Sequence, residues 1–291
     1  MLRKKRALAL FIFFLSGFFL LKVGVIYSQD TKPSSQVDTS RLDKAYEDYS
    51  QQFEEYQTAH SDYVVKKAQY LRFKTLTSKS DAYDATLLML QKRDDVVVSY
   101  IRILKTKLDV VIGITSLRRE ALQIRLDDEI GWFLDHKNKL SSAGTLEDLV
   151  VDSNDAKVRF DSGGPLFYES MANMSFGRVV DFQERLTDLF SSIKDKVEDI
   201  KSEQREDYIL SERKLQNIDR WILESDNRIQ RGVEKQTKGE TDMLTFISTE
   251  MSGALGDYNT TLTSLTEAQI YYKEAGAFLR EVIREIKIAE E

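Results

Sequence analysis

Residues 40–78 read SRLDKAYEDYSQQFEEYQTAHSDYVVKKAQYLRFKTLTS. Within them Leu42, Tyr46, Tyr49, Phe53, Tyr56, His60, Tyr63, Lys67 and Tyr70 recur in steps of four and three. Heptad spacing of this kind keeps one stripe of a helix turned toward a partner helix, whereas a strand would repeat every second residue. Tyr49, Tyr56, Tyr63 and Tyr70 hold the same heptad position four times running. The spacing predicts a first helix from about Ser40 to Ser78. Its single stripe must be buried against other helices, so the chain is expected to be an all-α bundle.

The sequence that follows continues the rhythm. Ser80 reads as an N-cap, with Tyr83, Leu87, Leu90, Val97, Ile101, Leu104 and Leu108 behind it. Residues 110–116, with Gly113 and the capping-type Thr115 and Ser116, read as a turn, and a third helix is expected over 117–140. Thr145 with Asp148 three residues on resembles a capping box and opens a shorter helix of about 146–160. The run Leu149-Val150-Val151 leaves a hairpin through residues 152–155 as the alternative. Asp161-Ser162-Gly163-Gly164-Pro165 is the strongest breaker, with Pro165 suited to the first turn of the next helix.

From Arg178 to Arg231 there is neither glycine nor proline. One seam runs through Val179, Phe182, Leu186, Leu189, Ile193, Val197 and Ile200, and another through Leu215, Ile218, Ile222, Ile229 and Val233. The polar stretch 201–207 between them reads as a stutter or a corner. A last long helix is expected over about 240–289.

Upstream of the bundle, Arg3-Lys4-Lys5-Arg6 precedes the apolar run Ala7–Leu21, then Lys22 and Val23–Tyr27. A basic flank before an apolar run holds the basic end in the cytoplasm and sends the rest across the membrane. Residues 1–28 are therefore expected to be a signal peptide, cleaved near Ser28, or a retained transmembrane anchor. Residues 29–40 read as a polar linker and 41–291 as an extracytoplasmic bundle domain. The fold class expected is an elongated antiparallel helical bundle with coiled-coil-like heptad seams, preceded by an N-terminal signal or anchor helix.

Composition narrows the chemistry. There is no cysteine, which excludes disulfides, thiolate metal sites and a cysteine nucleophile. The first 30 residues hold five of the 42 Lys/Arg and one of the 48 Asp/Glu, so the remainder carries 37 against 47, a net of −10. A body this acidic, with its cations interleaved among carboxylates, is not expected to bind nucleic acid. Of the two histidines, His60 lies in the tyrosine seam and reads as a packed residue, and His136 reads as a helix-surface residue. Neither stands in a Glu-x-x-His or His-Glu-x-x-His pattern, so no metal site is expected. Phosphate loops, the hydrolase elbow and a complete calcium loop are absent. Ser211-Glu212-Arg213-Lys214 and Ser225-Asp226-Asn227 imitate penicillin-recognising motifs but stand too close together on one helix.

No cofactor and no catalytic residue is expected. The chain reads as an exported, membrane-tethered structural or adaptor protein working through a protein partner or self-association. The alternatives are a sensory or ligand-binding bundle and a carboxylate-dependent cell-wall hydrolase. Tyr49, Tyr56, Tyr63 and Tyr70 either fill the bundle core with hydroxyls toward solvent or form the candidate partner interface.

Overall fold

In the computed structural model, residues 36–202 and 211–290 are described, and their regular structure is all helical. Six α-helices follow one another: α1 Gln36–Phe73, α2 Leu76–Val110, α3 Ser116–Leu140, α4 Leu146–Ser202, α5 Glu212–Asp242 and α6 Met251–Glu290. A short 3-10 helix, Met243–Ile247, joins the last two. The helical bundle expected from the heptad seams is therefore the observed architecture. The signal or anchor segment 1–28 and the linker up to residue 35 lie outside the described residues. Among the described residues no helix is long and apolar enough to cross a membrane.

Long side chains fix the direction of each pair. Lys66 with Asp81 and Arg41 with Asp109 set α1 antiparallel to α2. Lys137 with Asp95 and Lys105 with Asp127 do the same for α2 and α3, and Arg159 with Glu129 and Arg125 with Glu169 for α3 and α4. Tyr168 against Tyr258 and Phe182 against Tyr272 make α6 run parallel to α4. Ser225 Oγ donating to the Ala275 carbonyl at 3.2 Å, with Lys235 on Glu267, sets α5 antiparallel to α6. At 57 residues α4 is the longest element. It packs on α2 and α3 and also on α5 and α6, so it is shared by two helix clusters.

Several boundaries differ from the sequence reading. α1 stops at Phe73, not Ser78, and α2 is capped by Thr75, not Ser80. Thr75 Oγ1 accepts from the Ser78 amide while Ser78 Oγ accepts from the Thr75 amide, a reciprocal cap that satisfies two otherwise orphaned donors. The turn at 111–115 is as expected: Gly113 takes a φ of +82° and Thr115 caps α3. Ser211, in extended backbone, caps α5, so the two seams of 178–236 belong to two helices.

The largest correction concerns residues 161–165, where a break was expected and α4 runs straight through. Proline inside a helix forgoes one backbone hydrogen bond and crowds the preceding turn, costing about 3 kcal/mol. Here the whole run from Gly163 to Tyr168 is buried. A Cβ on Gly163 would stand 3.1 Å from the Glu129 carboxyl carbon, and one on Gly164 only 2.0 Å from Met251 Sδ. The glycines let neighbours close directly onto the helix backbone, and burial of Leu166, Phe167 and Tyr168 offsets the local penalty.

Candidate functional site

The tyrosine stripe is divided by its surroundings. Tyr49 and Tyr56 are buried, whereas Tyr63 and Tyr70 are only half-buried. Tyr49 lies 6.3 Å from Tyr100 of α2, ring centre to ring centre, and Tyr100 meets Phe167 of α4 edge-on at 5.9 Å. Burial pushes the Tyr49 and Tyr56 hydroxyls above their ordinary pKa. His60 sits between Tyr56 and Tyr63, at 5.8 and 6.0 Å, and burial lowers its pKa. It is a packed bundle residue, as read.

Tyrosine rings and ion-paired lysines connect α1 to α2, with Lys107 held 5.1 Å over the Tyr46 ring and Lys92 paired to Glu55. A groove of ≈ 880 Å³ lies between α1, α2 and α3. Its lining includes six Lys/Arg, among them Lys44, Arg102 and Lys137, and four Asp. The groove is open and polar, unlike the enclosed, mainly apolar pockets that hold small ligands.

His136 differs from its expected place on the surface: it is buried, at the centre of a charge cluster. Its Nδ1 is 2.6 Å from Asp94 Oδ2 and its Nε2 is 3.0 Å from the Asp152 carbonyl. A carbonyl only accepts, so Nε2 carries a hydrogen. Asp94 is shared between Nδ1 of His136 and the guanidinium of Arg93, at 2.6 and 3.2 Å. Arg93 also donates to Ser153 Oγ at 3.1 Å. Trp132 stacks on His136 at 5.0 Å, and the Arg159 guanidinium lies 5.7 Å from the Trp132 ring on its way to Glu129. Burial pushes the Glu129 carboxyl above the usual carboxylate range, against the pull of Arg159.

This cluster has the residue types of an acid–base site but not the geometry. Both ring nitrogens of His136 are taken by protein acceptors, so neither is open to a substrate proton. The cluster ties the middle of α2 to the C-terminal end of α3 and the N-terminal end of α4. Sequence reasoning missed it because its members lie 42 and 16 residues apart and share no motif. The one available signal was the adjacent pair Arg93-Asp94 on an apolar face. Among the described residues no group of three or more His, Asp or Glu is placed to hold a metal ion.

A second feature was also missed. Residues 63–80 contain Lys66, Lys67, Arg72, Lys74 and Lys79 and no acid, an exception to the interleaving of charges elsewhere. They form the tip of the α1–α2 hairpin, together with the half-covered Tyr63 and Tyr70. Comparison of the chain with protein-family models, with curated protein sequences and with solved structures gives no match.

Proposed function

We propose that the chain is an exported, membrane-tethered helical protein of structural or adaptor type, which acts through contacts with another protein or a second copy of itself. The N-terminal basic and apolar segment supplies the tether, and the bundle with its long heptad seams supplies the surface. The observation that carries this reading is the open groove between α1, α2 and α3. Its lining is mostly charged and polar, and broad polar surfaces suit macromolecular partners. The engaged nitrogens of His136 argue in the same direction, since they leave the buried cluster to hold helices together.

The test is crosslinking on intact host cells with a membrane-impermeant, lysine-reactive reagent, followed by mass spectrometry. The expected result is one dominant partner, or a second copy, linked through groove lysines such as Lys44 and Lys105. Absence of all labelling in cells that contain the protein would place the bundle on the wrong side of the membrane for this function.

A further inference from the structure

We propose that the tip of the α1–α2 hairpin, residues 63–80, binds an anionic lipid surface. The inference goes beyond the adaptor reading and does not depend on it, because it concerns another part of the bundle and another kind of partner.

Two independent properties meet at this tip. The first is apolar exposure: Val64 and Val65 are 50% and 52% exposed, Phe73 59%, Leu71 61% and Leu76 85%. These side chains crowd into the last three turns of α1 and the first residue of α2, on either side of a two-residue turn. Contiguous exposure of this kind marks a surface that contacts something less polar than water. The second is charge. Five cations and no acid fall between residues 63 and 80, in a chain whose residues 31–291 carry a net −10. Lys66 is partly neutralised by Asp81 at 3.3 Å, whereas Lys67, Arg72 and Lys74 are exposed.

The cations are placed beside the apolar groups. Lys67 lies 5.0 Å over the Tyr63 ring and donates to its hydroxyl at 2.7 Å. Arg72 lies 5.3 Å from the Phe73 ring. Aromatic rings and long basic side chains in alternation suit the headgroup region of a bilayer, where the stems and rings enter the apolar boundary and the charges stay with phosphate. Nucleic acid would use the cations and rings but gains nothing from Val64, Val65, Leu71 and Leu76. An acidic protein would use the cations but has no general need of so many bare aliphatic groups around one turn. Anionic lipid uses both sets at once.

The chain has no cysteine, so one introduced at the tip takes a single label. The full chain carrying Leu76→Cys, labelled with an environment-sensitive fluorophore and held in amphipol, is titrated with vesicles of phosphatidylcholine with or without phosphatidylglycerol. Asn227→Cys, exposed on α5, serves as the reference position. The expected result is a blue shift at position 76 with phosphatidylglycerol vesicles alone, reversed by added salt, and no shift at position 227. Replacing Lys67, Arg72 and Lys74 by Gln together weakens binding roughly a hundredfold, at about fivefold per charge. Val64→Ser with Phe73→Ser removes the blue shift with circular dichroism unchanged. An unshifted label, or an equal shift with pure phosphatidylcholine, overturns the proposal. So does a shift produced by polyglutamate or a DNA duplex but not by vesicles. A cell-crosslinking experiment that finds no protein partner leaves this result standing.

Discussion

Lys74 has a φ of +51°, the only non-glycine residue with positive φ among those described. It closes the C-terminus of α1, its amide donating to the Tyr70 carbonyl at 2.9 Å, in the position glycine ordinarily takes. An L-residue there is disfavoured because its Cβ crowds the following carbonyl. Lys74→Gly is therefore expected to stabilise the fold by about 1 kcal/mol in chemical denaturation, while removing one of the tip's exposed cations. Asp94 lies at the opposite extreme, fully buried between Arg93 and His136. Asp94→Asn removes the buried carboxylate shared by Arg93 and His136 and should cost about 3–5 kcal/mol. Combining it with His136→Gln should cost less than the two single changes summed, because the pair is one interaction unit.

The half-buried His60 gives a pH signature. Its folded pKa is lowered by burial, so the unfolded chain takes up the proton first as pH falls. Its contribution is thus fully present above the unfolded value of about 6.5 and is lost below it, as pH falls toward the lower folded pKa. Urea midpoints measured from pH 7.5 to 5.5 should fall less steeply for His60→Gln than for the unchanged chain; equal slopes would contradict this. The role of His60 was readable because it sits in a heptad seam. That of His136 was not, because burial at one site on a helix surface depends on which helix covers it.

At the scale of the helices, residue size at heptad positions sets how closely two of them approach. α1 presents Tyr49, Tyr56, Tyr63 and Tyr70, and Tyr49 meets Tyr100 of α2 at 6.3 Å between ring centres. α5 presents Ser225, Gly232 and Gly239 at the same seven-residue spacing, all buried, and packs backbone to side chain on α6. A Cβ on Gly232 would lie 2.3 Å from the ring of Tyr272, which is wholly buried and bonded to Gln236 at 2.8 Å. Gly232→Ala should destabilise by about 1–3 kcal/mol through overpacking, and Tyr272→Phe added to it should not restore stability, since the ring itself is the obstacle. The large residues of this second seam, Ile218 and Ile229, were visible in the sequence, but its small ones were not. A glycine on a helix face counts against helix formation until the neighbour that needs the space is known.

For the molecule as a whole, α4 is the shared element, meeting α2 and α3 as well as α5 and α6. A helix interrupted at Gly163-Gly164-Pro165 would uncouple those clusters, so Gly164→Ala, which strikes Met251, tests their coupling. It should lower the thermal midpoint, and Met251→Ala should recover part of the loss. Circular dichroism of residues 31–291 should show helix well above two-thirds, against the one-third typical of globular proteins.

The all-helical class, the α1 seam, the turn at Gly113 and the excess of acid over base were decided by the sequence alone. Each depends on local periodicity, local capping or simple counting, which act over a few residues. The unbroken run of α4, the burial of His136 with Asp94 and the division of the tyrosine stripe into buried and half-buried members were decided only by tertiary structure. Each depends on a neighbour distant in the chain: a sulfur of Met251 closing on Gly164, a carboxylate from α2 meeting an imidazole from α3, and tyrosine rings of α1 reaching toward α2. Local rules price proline, glycine and histidine as if water surrounded them, and the packed interior changes that reference.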